Sequence, residues 1–353
     1  MNESRFFLDI HAIQTLPPSN ANRDDTGSPK TAVYGGVRRA RISSQSWKRA
    51  MRQYFLKESA EDLGIRSTAV IRYVAERIIE TDPSVTEEQA MKKAEKVFND
   101  AGIKTKDQKT KALFFLGKKQ ADLLAAAALK AETDKKSLQK IFCDNPAIDI
   151  ALFGRMVADD PSLNEDASAQ VAHAISTHEV QTEFDFYTAV DDLAPEDNAG
   201  AGMLGTIEYN SSTLYRYANI AMHDLVRQLG SKEQAISAAK LFIQAFANSM
   251  PTGKANTFAN QTLPQLLMIN IRQDRPVNLV TAYENPVKSR SGNETASIER
   301  LFAEVKKTTK FVKEPLRTLY VTKEEIDKPE WAEEEDSILT LVTDFTKIAE
   351  GLL

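Results

Sequence analysis

Between Thr26 and Lys57 the chain carries no aspartate or glutamate, while Lys30, Arg38, Arg39, Arg41, Lys48, Arg49, Arg52 and Lys57 all fall inside that window. The whole protein has a formal net charge of -5, so this is a concentrated positive patch on an acidic molecule. Cations bind phosphate by releasing counterions, which an acidic protein cannot do over its whole surface, so any nucleic-acid site is local. On a wheel of about 100° per residue, a helix from Ser44 onward sets Gln45, Lys48, Arg49 and Arg52 on one side and Trp47, Ala50, Met51 and Tyr54 on the other. Ser43 or Ser44 caps that helix, and the first-turn amides beside them are open to anions. Hydroxyls, amides and cations thus converge where a phosphate backbone can run, and such contacts bind without reading sequence. In the preceding strand, alternation puts Arg39 and Arg41 on one side and Arg38, Ala40 and Ile42 on the other, so either Arg38 or the Arg39/Arg41 pair is structural.

Other residues offer chemistry with less support. Asp24 and Asp25, and separately Asp191 and Asp192, are adjacent carboxylates able to hold a hard metal ion for phosphodiester cleavage, although loop aspartates more often cap or form turns. His173 and His178 fall on opposite faces of a strand and make a poor shared metal site. PTGKANT (251–257) has a Gly-Lys pair but lacks the leading glycine and the Ser/Thr after lysine of a phosphate loop, and reads as a turn. The single cysteine, Cys143, excludes an internal disulfide and a cysteine-built zinc site, and its apolar surroundings point to buried packing. No metal or cofactor is expected.

The elements that must position these residues follow from periodicity. SRFFLDIHAI (4–13) alternates as a strand, with Phe6, Leu8, Ile10 and Ala12 on one side and Phe7, Asp9, His11 and Ile13 on the other, a face expected to be partly exposed. After a polar, proline-containing loop, AVYGGVRRARI reads as a short strand broken by Gly35 and Gly36, leading into the basic helix. From roughly 58 to 145 the composition turns helical, which predicts an inserted helical subdomain. VAHAISTHEV, FDFYTAV, TIEYNSSTLYRYANI, LLMINI and PLRTLYVT then read as strands of a mixed sheet domain. Two later helices are expected, SKEQAISAAKLFIQAF with Ser231 and Gln234 as a capping box, and SILTLVTDFTKIAEGL at the C-terminus. Between Phe184 and Ile220, two strand-like stretches flank APEDNAGAG and predict a long hairpin. An isolated ribbon cannot satisfy Phe184, Phe186, Tyr187, Val190, Met203 and Leu204, so it either packs on its own domain or needs a partner. No apolar run spans a bilayer, and the acidic N-terminus lacks a secretory signal, which predicts a cytoplasmic protein with no membrane contact.

The stretch NRDDTGSPKTAVYGGVRRARISSQSWKRAMR closely resembles the CasC family, the backbone subunits of type I-E Cascade in the seventh CRISPR-associated protein superfamily. DIALFGRM, VAHAISTHEV, FDFYTAVDDL, LGTIEYNSSTLYRYANI and the region from LPQLLMINIRQDRPVNL to AYENPVK resemble it in the same order. The likeness is clear over the first sixty residues and from about 148 to 290, and loose elsewhere. It implies an α+β fold with an RRM-like (ferredoxin-like) palm, an inserted helical fingers domain and a projecting β-hairpin thumb. The boundaries expected are 1–57 for palm with the basic strand and helix, 58–147 for fingers, 148–180 for palm, 181–210 for thumb, and 211–353 for palm with C-terminal helices.

By the same resemblance the protein is a non-enzymatic ribonucleoprotein subunit of antiviral defence. It oligomerises along the CRISPR RNA (crRNA) and presents it in segments to target DNA. Its implied partners are crRNA, target DNA, further copies of itself in a helical filament, and the other Cascade subunits: large, small, five-prime-end capping, and the crRNA-processing endoribonuclease. Ser43, Gln45, Lys48, Arg49 and Arg52 become crRNA contacts, joined by Arg23, Lys30, Arg38, Arg41 and Ser44, while Met156 matches a residue stacking on a base. Phe186, Tyr187, Thr188, Val190 and Leu204 match thumb residues that wedge beside a displaced nucleotide, and Lys135, Lys136 and Lys140 are assigned to target DNA. Related type III backbone subunits cut target RNA with a loop aspartate, and Asp24 lies in a comparable early loop, which supplies the alternative of a metal-dependent ribonuclease.

Overall fold

In the computed structural model, which describes residues 5–58, 63–144, 146–157, 160–189 and 203–353, the alternating N-terminal segment becomes the strand Phe7–Ser19. It lies inside a mostly antiparallel sheet, between Met203–Ala221 and Leu266–Arg272. Beyond Leu266–Arg272 the sheet continues through Arg317–Thr322 to Glu333–Glu334, the last pair being parallel. On the other side it continues through Ala174–Ser176 and Val37–Ile42 to Thr31–Tyr34. Phe6, Leu8, Ile10 and Ala12 pack under the helices Ser44–Glu58, Lys232–Asn248 and Ile338–Leu352. Ile13, Tyr215, Tyr217, Met268 and Tyr320 form the core of the opposite face under the helix Glu294–Thr308. Strands and helices are thus segregated as in an α+β protein. No helix among the described residues is long and apolar enough to cross a membrane.

The second face corrects one expectation: Asp9 and His11 are fully buried. Buried polar groups need partners. The Tyr217 hydroxyl and the Val277 amide donate to the Asp9 carboxylate at 2.8 and 2.9 Å, and His11 Nδ1 meets the Tyr215 hydroxyl at 2.9 Å. Burial, ahead of every neighbour, pushes the Asp9 carboxyl up to about 7 and the His11 imidazole down to about 3.

Further corrections concern boundaries. The first strand runs on through Pro17 and Pro18, expected in a loop, because its pairing with Leu266–Arg272 has ended at Ile13 and its register with Met203–Ala221 shifts between Leu16 and Ser19. A proline's missing donor is harmless where no ladder bond is due. AVYGGVRRARI is a hairpin and not one broken strand, since Gly35 and Gly36, at φ 59 and 77°, supply the positive φ that a two-residue turn requires at both positions. VAHAISTHEV divides into Ala169–Val171 and Ala174–Ser176. Ser231 caps its helix by accepting from the Gln234 amide at 3.2 Å, but the Gln234 side chain takes no bond from the Ser231 amide in return, so the capping box is only half made.

The insertion has its own core, including Val74, Phe98, Phe114, Leu124 and Phe142, built mainly from Val70–Thr81, Glu87–Asp100, Lys118–Leu129 and Lys135–Cys143. It is not purely helical: Gly64–Ser67 pairs with Phe114–Gly117, and Thr105–Lys106 with Lys109–Thr110. Cys143 is only half-buried, with its thiol 3.6 Å from the Ser162 carbonyl oxygen.

Asp9 and His11 pull stability in opposite directions. Asp9, raised from 3.8, loses its contribution as pH rises toward about 7, whereas His11, lowered from 6.5, loses its own as pH falls toward about 3. Between about pH 4 and 6.5 the two slopes cancel. Asp9→Asn keeps the neutral, hydrogen-bonded form and leaves only the histidine slope. Urea unfolding across that window should then show the variant gaining roughly 1.4 kcal/mol per pH unit relative to wild type; parallel curves would exclude this account.

Candidate nucleic-acid interface

The basic helix, Ser44–Glu58, buries Trp47, Ala50, Met51 and Phe55, with Phe55 taking the core position expected of the half-buried Tyr54. Ser43 closes its start, since its Oγ accepts from the Ser46 amide at 3.3 Å. Its own amide donates to Asn22 Oδ1 at 2.8 Å. The amides of Ser44 and Gln45 have no acceptor among the described residues. Gln45 and Arg49 lie exposed beside them. Helix-start amides and a cation therefore face the same solvent, which is the arrangement that holds phosphate.

The other two stripe residues are more committed. Lys48 is half-buried with its ammonium 5.7 Å from the Phe153 ring centre, and desolvation lowers its pKa. Arg52 turns toward the insertion: it donates to Asp149 Oδ2 at 3.0 Å and to the Gly64 carbonyl at 3.1 Å, with its guanidinium 4.4 Å from the Phe115 ring centre. Asp149 is buried, and desolvation raises its pKa against the pull of Arg52.

The arginines of the preceding strand separate individually. Arg39 is fully buried and donates to the carbonyls of Tyr34, Ser176 and Tyr283 at 3.1, 3.0 and 2.8 Å, so it is structural. Arg38 is exposed on the other side. Arg41 is half-exposed, bonded to the Thr31 carbonyl at 3.2 Å and close to His173 Nδ1 at 3.1 Å. Lys30 is half-exposed, and Arg23 is exposed. Arg23, Arg49 and Lys57 line a cleft of about 700 Å³ together with Asp24 and Asp25, and its far wall is the segment from Asn248 to Gly253.

Asp24 organises its own loop. Its Oδ1 accepts from the Thr26 hydroxyl and amide at 2.7 and 3.0 Å and from the Ser28 amide at 3.0 Å, which holds its carboxyl below the usual range. His178 Nε2 accepts from the Thr213 amide at 3.0 Å, far in role from His173. Among the described residues no three of His, Cys, Asp and Glu are grouped to hold a metal ion.

The strand Glu183–Ala189 is exposed along its whole length and pairs with the outer end of Met203–Ala221, from Glu183 opposite Tyr209 to Ala189 opposite Met203. Phe184 and Phe186 each keep 66% of their surface in solvent and Leu204 keeps 62%. Tyr187 folds across Gly205, where an added Cβ would stand 2.3 Å from its ring. Thr188 is exposed beside it, while Val190, Asp191 and Asp192 lie outside the described residues. Met156, 83% exposed, follows Arg155, whose buried guanidinium donates to the carbonyls of Phe142 and Leu163 at 2.7 and 3.0 Å.

A second cationic surface sits on the insertion. Lys136 and Lys140 are exposed, and Lys135 is 3.7 Å from the Asp160 carboxylate. Next to them is a hairpin the sequence analysis missed, in which Lys106 opposes Lys109 and Lys104 and Lys111 are exposed. Its signal was the alternation KTKDQKTK, hidden in a helix-rich region.

A profile of the family described as "CT1975-like protein" matches residues 8–344. A solved chain described as "CRISPR RNA-guided surveillance complex, pre-nicking" superposes with a TM-score of 0.86 at 34% identity, covering 97% of this chain and 100% of that one. Another, described as "CRISPR RNA-guided surveillance complex", gives a TM-score of 0.76 at 30% identity, covering 97% and 99%. A search of curated proteins returned no match.

Removing Arg52 would leave the buried Asp149 charge without its counterion. Arg52→Ala should cost about 3 kcal/mol in urea unfolding, whereas Arg49→Ala, at an exposed position, should leave the midpoint in place. Equal midpoints for the two variants would show that Arg52 does not anchor the insertion.

Proposed function

The chain belongs to the CT1975-like family, and from that footing we propose that it is a backbone subunit of a CRISPR surveillance complex of the type I-E Cascade kind, repeated along a crRNA. The observation that carries this reading is a pair of surfaces incomplete on their own: a cationic helix start with open amides, and an exposed aromatic ribbon. A single-stranded nucleic acid supplies what both lack, phosphates for the first and base faces for the second.

In this reading the sheet domain is an RRM-like palm, the insertion forms the fingers, and the ribbon is the thumb. The backbone of the crRNA lies against Ser43, Ser44, Gln45 and Arg49, flanked by Arg23, Lys30, Arg38 and Arg41. Lys48 and Arg52 stand behind them, shaping the helix and adding field. Phe186, Tyr187, Thr188 and Leu204 of one copy wedge beside a nucleotide held by the neighbouring copy, a role the resemblance extends to Val190. Met156 stacks on a base. Stacking of this kind contributes about 1–3 kcal/mol per base and tolerates any sequence. Lys135, Lys136 and Lys140, together with the lysine hairpin, face the target DNA. The other Cascade subunits cap and line the resulting filament, whose role is antiviral defence.

The subunit acts by holding and not by cutting. The ribonuclease alternative needs Asp24 to bind a metal ion, yet its Oδ1 is already used by three donors of its own loop.

Arg23→Glu combined with Arg49→Glu should remove copurifying crRNA while leaving a folded protein, because both side chains are exposed. Phe186→Asp combined with Leu204→Asp should leave RNA binding by single subunits intact and stop long particles from forming, as read by sizing. Unchanged RNA content in the first variant would sink the proposal. Magnesium-dependent cleavage of complementary RNA by the assembled particle, lost on Asp24→Ala, would replace it with the nuclease.

A further inference from the structure

The stretch from Met250 to Gln261 is more elaborately built than a plain turn requires. Lys254 and Ala259 hold positive φ, 49 and 47°, at the two ends of the single helical turn Ala255–Phe258. Both carry side chains that this region of backbone disfavours, and such strain gathers where surrounding structure enforces it for function. The enforcement is visible. Gly253 lies so close to the early loop that an added Cβ would stand 2.2 Å from the Ala21 carbonyl oxygen. Phe258 packs on Tyr209 at the base of the ribbon, with ring centres 5.8 Å apart.

Clamped at these two points, the segment up to Gly253 forms the far wall of a cleft whose near side carries Arg23, Arg49 and Lys57 together with Asp24 and Asp25, and Lys254 stands at the rim. Thr252 and Gly253 border the cleft, and so does Ser249, which is 5% exposed and whose hydroxyl has no partner among the described residues. Lys254 comes next in the chain. It is half-exposed and has no ion-pair partner among the described residues, although a glycine would occupy its backbone conformation without strain. A cation kept where glycine fits better breaks a local rule, and broken local rules concentrate at functional sites.

We propose that the segment from Ser249 to Asn256 is the second wall of an RNA groove. Lys254 meets a phosphate of the strand held by Arg49 across the cleft, and the exposed Thr252 and Asn256 offer hydroxyl and amide groups to the adjoining phosphate and ribose, while the Ser249 hydroxyl is sealed beneath them. The contacts are to backbone and are sequence-independent. The inference rests on the crRNA reading above and extends it from one wall of the groove to two.

The test uses the purified full chain, a labelled single-stranded RNA and a salt series. Each lost phosphate contact on a single strand reduces the slope of log affinity against log salt by about 0.7. Lys254→Gly and Lys254→Ala should both weaken binding with that reduction, and Lys254→Gly should not lower the melting temperature, because it relieves backbone strain. Unchanged affinity and slope in both variants, while Arg49→Glu still abolishes binding, overturn the second wall and leave the first reading standing. Weaker binding matched by a lower melting temperature in both variants also overturns it, since a purely structural role accounts for that. Absence of RNA binding by the wild-type chain would instead remove the reading on which the inference rests.

Discussion

A buried guanidinium with no ion-pair partner among the described residues sets the place of the basic helix. Arg216, on the strand Met203–Ala221, donates to Gln14 Oε1 and, at 2.6 Å, to the Phe246 carbonyl. Its guanidinium lies 3.5 Å from the Trp47 ring centre and 4.3 Å from that of Phe246. Burial lowers its pKa to about 9, which leaves it charged at neutral pH. A desolvated cation of this kind is tolerable only between π faces and good acceptors. Trp47 therefore has one place to go, and once it is there the opposite side of the helix, with Gln45 and Arg49, must face outward. A carboxylate partner would have satisfied Arg216 as well, but it would have cancelled positive charge directly beneath the surface that presents it.

The basic window thus holds cations of two kinds, and the difference explains what its sequence revealed. The helix face was legible because burial of Trp47, Ala50 and Met51 follows the 3.6-residue period, a local property. The commitments of Arg39 and Arg52 were not. Arg39 binds backbone carbonyls, which every residue has and no motif marks. Arg52 binds Asp149, 97 residues away across the whole insertion. Asp9 and His11 misled for the same reason, since their cover comes from Val277, Asn270 and the helix Glu294–Thr308, far along the chain. Alternation gave the strand and its two faces, but only tertiary structure says that both faces are covered.

Like-charge pairing in the lysine hairpin runs against the local logic of a stable fold. Lysines directly opposed across strands repel, and the two turn residues, Asp107 and Gln108, hold positive φ without being glycine. The insertion's separate core supplies the stability that lets such a feature persist. That surface and the helix start both gather exposed cations, although carboxylates stand near each: Asp107 in the hairpin turn, and Asp24 and Asp25 beside Arg23 and Arg49. The net negative charge of the whole chain works against a polyanion elsewhere, so a phosphate site on it has to be local.

One strand joins the groove to the ribbon. Met203–Ala221 carries Arg216 near one end, under the basic helix, and pairs with the exposed strand Glu183–Ala189 at the other. Asn20 fastens the early loop to the same strand, its Nδ2 donating to the Gly27 and Glu208 carbonyls at 2.9 Å each. Tyr187 lying over Gly205 stiffens the ribbon just beyond. The surface that would hold RNA and the surface that would reach the neighbouring copy are therefore mounted on one continuous piece of backbone. The separation between the helix start and the outer aromatic residues of the ribbon is thus set within one subunit, by the length and twist of that strand.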